Sequence, residues 1–303
     1  MTGVQQTGVV LMAYGTPRHP DEIEAYYTDI RRGRPPTAEQ LADLTARYAA
    51  IGGISPLAQR TNAQRDALAN ALGPAFSVVL GLKHAHPMVE TAVSQLAKLG
   101  ITRAVGLVLA PHYSTMSIAE YQRRASAAGN DAHVEMRPIM NWHVLPEYLE
   151  FLGQGVTHAL GELPARTLVL FTAHSLPARV LAQGDPYPDQ LEQTANAVAG
   201  AVGLASGTYR TAWQSAGRTP EPWIGPDILE VIAHAAADGW EGVLVCPCGF
   251  VADHLEVLYD LDIEAAGVAA SHGLAFARTP SMNADPSVIA ALADQVRAVA
   301  ENW

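Results

Sequence analysis

Short β-branched runs alternate with longer helical patterns along this 303-residue chain, and that alternation restricts its fold more than any other feature. The clearest runs are residues 9–12, 77–80, 105–109, 167–171 and 242–245. Helical patterns cover 20–31, 37–51, 59–72, 88–99, 118–127, 147–160, 189–202, 225–238 and 287–300. Strands separated by helices cannot pair through tight hairpins. They lie parallel, with helices covering both faces of the sheet, which predicts an α/β fold. A chain of this length makes one large α/β domain or two of about 150 residues each, burying roughly three quarters of its unfolded surface.

The two halves echo each other. A strand opening each half runs into a special loop, Ala13-Tyr14-Gly15-Thr16-Pro17 in the first and Ala173-His174-Ser175-Leu176-Pro177 in the second. A later strand repeats the theme, ending at Pro111-His112-Tyr113-Ser114 and at Pro247-Cys248-Gly249-Phe250. Ligands of open parallel sheets bind at the carboxyl ends of strands, so these loops point at one cleft between the halves. The predicted division is 1–141 plus 277–303, with the last helix returning to the first half, and 142–276.

Composition narrows the functional classes. The chain is 49% hydrophobic and 16% charged, and no apolar run approaches the ~18 residues of a membrane span. Residues 1–8 contain neither Lys nor Arg and lead directly into a strand pattern, unlike a signal peptide, so the expected location is the cytoplasm. A net charge of −11 disfavours nucleic acid as a partner. Two cysteines, Cys246 and Cys248, form no disulfide framework and cannot supply the four ligands of an iron-sulfur cluster; buried thiols are the expectation. Phosphate-binding loops, Gly-x-Ser-x-Gly elbows and His-Glu-x-x-His helices are absent from the sequence, and Gly153-Gln154-Gly155 lacks the third glycine of a dinucleotide fingerprint.

The most informative stretch is residues 249–264. If it is a regular helix, Glu256, Asp260 and Glu264 fall within about 80° of one another over about 12 Å. That row is either a solvated acidic face or, hemmed by Leu255, Val257, Leu258, Leu261 and Ile263, the wall of a cleft that guides a cation inward or protons outward. His174 follows the apolar run 168–171 and reads either as a hydrogen-bonded strand-end histidine or as a neutral imidazole serving as base or ligand. Tyr14, His84 and His112 share that ambiguity. Arg31, Arg32, Arg34 and Arg47 form a basic cluster, either solvated or suited to carboxylates of an anionic ligand.

Across nearly its whole length the sequence resembles the bacterial ferrochelatases, and within them the branch that uses coproporphyrin. The matching segments include Leu11-Met12-Ala13-Tyr14-Gly15-Thr16-Pro17, Arg31-Arg32-Gly33-Arg34, Ile51-Gly52-Gly53-Ile54-Ser55-Pro56-Leu57 and Gly81-Leu82-Lys83-His84. They continue with Ala173-His174-Ser175-Leu176-Pro177, Gly184-Asp185-Pro186-Tyr187-Pro188-Asp189-Gln190, Trp213-Gln214-Ser215 and the block 250–260. The resemblance implies two similar Rossmann-like domains with a porphyrin cleft between them. It implies that His174 and Glu256 are the catalytic, metal-facing pair, and that Tyr14 meets the iron from the opposite side. Arg31, Arg47, Tyr48, Ser55 and Tyr121 are implied to contact the macrocycle and its propionates. Asp260 and Glu264 are implied to form an outer path for protons or a second divalent cation.

The activity so implied is Fe(II) insertion into coproporphyrin III in haem biosynthesis, needing no cofactor beyond the iron substrate. Protoporphyrin IX as substrate, or a non-catalytic haem-binding or porphyrin-binding protein of the same fold, are the alternatives. A monomer making transient contact with a later haem-pathway enzyme is expected. Two departures stand out: Cys246-Pro247-Cys248, and Arg218 at the implied cleft rim.

Overall fold

A computed structural model describes residues 6–217 and 219–303, so Arg218 and residues 1–5 of the leader reading lie outside the described residues. The first half runs β1 (Thr7–Ala13), α1 (Ile23–Ile30), α2 (Ala38–Ala50), α3 (Leu57–Leu72), β2 (Phe76–Leu82), α4 (Val89–Lys98), β3 (Arg103–Val108), α5 (Ile118–Ala132) and β4 (Glu135–Pro138). After α6 (Pro146–Leu160), the second half runs β5 (Thr167–His174), α7 (Arg179–Ala182), α8 (Tyr187–Val202), β6 (Tyr209–Gln214), α9 (Ile228–Ala235) and β7 (Gly242–Cys246). It closes with α10 (Leu255–Leu258), a π-helical turn (Asp260–Ala265), α11 (Ala266–Ser271), β8 (Ala275–Arg278) and α12 (Pro286–Ala300).

Among the described residues the strands form two four-stranded sheets, ordered β2-β1-β3-β4 and β6-β5-β7-β8, with every pairing parallel. The halves therefore share one topology, and β1 and β5 occupy equivalent central places. In each sheet the strand order reverses beside that central strand, which opens a crevice at its carboxyl end. Tyr14 follows the last residue of β1, and His174 is the last residue of β5. The echo seen in sequence is thus a repeated fold. Edge strands β4, β6 and β8 were not anticipated.

Alternation along the central strands explains how the halves are joined. Val9 and Leu11 of β1 and Val169 and Phe171 of β5 all point into one inner core, together with Leu244 and Cys246 of β7. Their neighbours Val10 and Met12 face a separate outer core under α4 and α5. Leu168 and Leu170 likewise face an outer core under α9 and α11. Side chains on a strand point alternately to opposite faces, so strands buried on both sides need nearly continuous apolar sequence. Tyr148, Leu152 and Val156 of α6 and Val288, Ile289 and Leu292 of α12 fill the shared inner core. Helix α12 packs on α3 and β3 as well as on α6. Cys246 and Cys248 are buried, unpaired thiols. Among the described residues no helix is long and apolar enough to cross a membrane.

Gly249 lies where the loop after β7 passes over β5. Its amide donates to the Thr172 carbonyl at 2.9 Å, and a Cβ there would come within 2.4 Å of Ala173 Cβ and 2.6 Å of Ala173 Cα. Backbone cannot retreat as a flexible side chain can. Gly249→Ala is expected to cost about 1–3 kcal/mol, the usual range for overpacking. Gly200→Ala in α8, where a Cβ meets nothing within 4 Å, is expected to gain about 0.5–1 kcal/mol. Denaturant unfolding of the two variants checks the contrast.

Candidate active site

His174 ends β5 with its ring turned into the cleft. Its Nδ1 lies against the Ser175 carbonyl, which can only accept, so Nδ1 carries a hydrogen and Nε2 is the atom presented to the cleft. Nε2 stands 3.6 Å from Glu256 Oε1. The other carboxylate oxygen of Glu256 stands 3.6 Å from His254 Nε2. The His254 ring is held by its own Nδ1, which donates to the Ala252 carbonyl at 2.9 Å, and it packs 5.1 Å from the Phe250 ring. One carboxylate thus lies between two imidazoles. His174 and Glu256 each keep about a third of their side-chain surface, 35% and 34%, although protein surrounds them closely, as befits groups on a cleft wall.

Electrostatics divides the charges. Burial works against a charge on His174, but the Glu256 carboxylate outweighs it and, with help from the Ser175 carbonyl and Asp260, raises the imidazole to about 9. Burial works against the charge on Glu256 too, yet His174 and His254 together hold its carboxyl well below the usual range. His174 and Glu256 therefore form an imidazolium–carboxylate pair at neutral pH. The sign follows from linkage: a raised histidine pKa contributes stability that is fully present below the ordinary 6.5 and lost as pH rises through about 9.

The acidic row departs from the regular helix expected. Helix α10 ends at Leu258, and the amides of Ile263 and Glu264 both reach back to the Tyr259 carbonyl, at 3.2 and 3.0 Å. The turn from Asp260 to Ala265 is π-helical, a wider winding than the four-residue repeat of an α-helix. Asp260 is 7% exposed; burial and the charge of Glu256 push its carboxyl up to about 6, against the opposing pull of Ser215 and Arg47. Arg47 reaches over from α2, which starts with a Thr37–Gln40 capping box. Its guanidinium lies 3.3 Å from Asp260 and 3.5 Å from Glu264, and 4.7 Å over the Tyr259 ring. Arg47, a candidate propionate contact, spans the two halves and faces the acidic row.

The opposite wall carries Tyr14, 41% exposed, with its ring 4.6 Å from that of His84. Burial chiefly, then the charge of Glu256, raises its hydroxyl. His84 is fixed by Asp29 at 2.7 Å. Other expected ring contacts lie deeper. Tyr48, Ser55 and Tyr121 are only 2%, 4% and 4% exposed. Tyr48 lies 3.4 Å from the Thr16 hydroxyl, and burial pushes its own hydroxyl up to about 12. Ser55 accepts from the Leu57 amide at the start of α3, and Tyr121 lies beneath Lys83, whose ammonium is 5.4 Å from the ring. Arg31 donates to the Arg34 carbonyl and stacks 5.6 Å over Tyr27.

Among the described residues no three His, Cys, Asp or Glu side chains form a ready-made metal cage. The donors present instead are a nitrogen and a carboxylate on one wall, open on their cleft side. A family model described as ferrochelatase matches residues 6–300. The chain belongs to the ferrochelatase family. It is 43% identical over 294 residues to the ferrochelatase of Herpetosiphon aurantiacus, covering 94% of this chain and 96% of that one. It is 44% identical over 300 residues to the coproporphyrin III ferrochelatase of Geobacillus kaustophilus, covering 95% and 94%. Among solved structures, SirB from Bacillus subtilis with Fe3+ matches at a TM-score of 0.60 and 13% identity, covering 98% of this chain and 96% of that chain. CbiX, from siroheme biosynthesis in denitrifying bacteria, matches at 0.54 and 15% identity, covering 97% and 99%. At such identities these two share the fold alone with this ferrochelatase-family chain.

His254 escaped the sequence reading, although its place two residues before Glu256 was the available signal. Replacing Glu256 by Gln removes the charge that sustains the imidazolium. NMR titration is expected to find His174 near 9 in the wild type, and falling toward or below its ordinary value in Glu256→Gln. A variant still titrating where the wild type does would contradict the assignment.

Proposed function

We propose that this chain inserts Fe(II) into coproporphyrin III, with His174 and Glu256 meeting the metal at the ring centre. The observation that carries the reading is the facing of His174 Nε2 and Glu256 Oε1 at 3.6 Å on a cleft wall, the imidazole locked by its other nitrogen. The reaction breaks two pyrrole N–H bonds, forms bonds from iron to the ring nitrogens and releases two protons. No electron changes hands. A metal in transit needs donors that hold it without enclosing it, and an imidazole with a carboxylate does so. Such donors also accept zinc, cobalt and copper, so the pair does not select iron by affinity.

In this reading the proton on His174 occupies the place the metal will take. Metal binding would release that proton to solvent, and once the metal has passed into the ring His174 and Glu256 are free to accept the pyrrole protons and hand them to solvent. Tyr14 faces the ring from the other wall, and Arg31 and Arg47 answer propionates. Tyr48, Ser55 and Tyr121 support that wall from behind. Asp260 and Glu264 conduct protons or hold a second cation, which must displace Arg47 to do so. Coproporphyrin is favoured by the relatives named for it and by the basic residues of the first half. The reading places the reaction in the cytoplasm, on a single chain that passes its product to a later haem-pathway enzyme.

The test is anaerobic iron insertion followed by absorption, with coproporphyrin III and protoporphyrin IX compared. Faster turnover of coproporphyrin is expected, and His174→Ala is expected to lose about 10²–10⁴-fold, as removal of a proton-transferring group does. Unchanged insertion by His174→Ala refutes the reading, and binding without turnover makes the chain a porphyrin carrier. Because the metal competes with one proton, Zn(II) affinity is expected to rise about tenfold per pH unit, levelling off near the His174 pKa of about 9. Calorimetry across pH 6 to 10 measures it, those limits being roughly the span over which the histidine titrates.

A further inference from the structure

Glu256 lies in the four-residue α10, where the regular α-helical ladder gives way to the π-helical turn just after it, so the winding around Glu256 does not by itself set where its carboxylate stands. Something else must fix its distance from His174. The last residue of β6, Gln214, stands in register with His174 across the β5–β6 ladder, so the two side chains leave the same face of the sheet. Gln214 is 1% exposed, and all its polar atoms toward this site are used. Its main-chain carbonyl accepts from the Ser175 amide at 2.8 Å. Its side-chain Nε2 donates to the Glu256 carbonyl at 2.9 Å, while Oε1 accepts from the Thr172 hydroxyl at 2.8 Å.

The orientation of this amide is forced. A main-chain carbonyl only accepts, so the amide nitrogen must face Glu256; the amide oxygen then faces Thr172, whose hydroxyl donates. Thr172 is fully buried and two residues before His174, hence on the same face of β5. One buried side chain therefore joins the backbone of Glu256 to the strand that carries His174.

We infer that Gln214 is the positioning residue that sets the spacing of Glu256 and His174, oriented for this task by Thr172. Its side chain reaches Glu256 through that residue's backbone carbonyl and touches neither the Glu256 carboxylate nor the His174 ring. The inference rests on the reading of that pair as the metal site, and extends it to what holds the pair in place. Gln214→Met keeps the volume and removes the amide; Thr172→Val keeps the shape and removes the hydroxyl that orients it.

The experiment measures Zn(II) affinity of the porphyrin-free chain by calorimetry, coproporphyrin affinity by fluorescence quenching, and thermal unfolding. Gln214→Met is expected to weaken Zn(II) binding about 10–100-fold with porphyrin affinity within about twofold, the usual effect of losing a partner behind a ligand. Thr172→Val is expected to show a smaller loss of the same kind, which keeps the test open should Gln214→Met fold poorly. In a Glu256→Gln background Gln214→Met is expected to cost nothing further, because it acts through the group already removed. Wild-type Zn(II) affinity in both variants, or an equal added loss in the Glu256→Gln background, overturns the inference. So does a crystal structure of Gln214→Met in which Glu256 and His174 keep their separation, whether or not metal binds. A wild-type chain that fails to insert iron while these effects on the pair persist removes the chelatase reading and leaves the positioning role standing.

Discussion

Alternate side chains of β1, β5 and β7 enter one apolar core that both sheets share, and every distance across the cleft is measured from that core. The two sheets are not joined by a linker alone: α6 and α12 fill the space between them with Tyr148, Leu152, Ile289 and Leu292. A close-packed interior transmits displacement instead of absorbing it. The carboxyl ends of β1 and β5 therefore hold Tyr14 and His174 in a relation set by the whole fold.

On that frame the site is defined by what neutralises what. Glu256 is balanced by His174 and His254, and Asp260 and Glu264 by Arg47 from the other half. Buried charge without a partner is costly, so these charges are paired within the protein itself. On the proposed reading, binding of a cation and of an anionic ring is an exchange of partners within a set of charges already satisfied. Such exchange suits the proposed transfer of a metal, whereas a closed cage of four ligands would retain it.

The sequence was most legible where burial is symmetrical. Strands β1, β2, β3, β5 and β7 carry β-branched or leucine-rich runs, and the repeated loops at Tyr14 and His174 marked equivalent strand ends. Strands β4, β6 and β8 lie at sheet edges, four to six residues long, and their sequences mix Glu, Arg, Thr and Gln with apolar residues; only sheet pairing makes them strands. Resemblance supplied the candidate site residues, but not their depth: that Tyr48, Ser55 and Tyr121 are buried depends on contacts distant in sequence. Arg47 was legible as a cation for an anion. Beside the local Asp43, its anions Asp260 and Glu264 come from the other half of the chain, which no local pattern can reveal.

The π-helical turn after α10 has a consequence for phase. Val257, Leu261, Ala265 and Ala269 recur every fourth residue and are all buried in the same outer core. In an unbroken α-helix a four-residue step advances about 40° beyond a full turn, so such a stripe would wind away from a flat sheet within three steps. A turn that takes more residues rotates less at each, and it reverses part of that drift. The wider winding straightens a stripe that would otherwise spiral, and the neighbouring row of Glu256, Asp260 and Glu264 is kept in line with it. A local irregularity in the backbone thus lets one short segment face a core along one side and a cleft along the other.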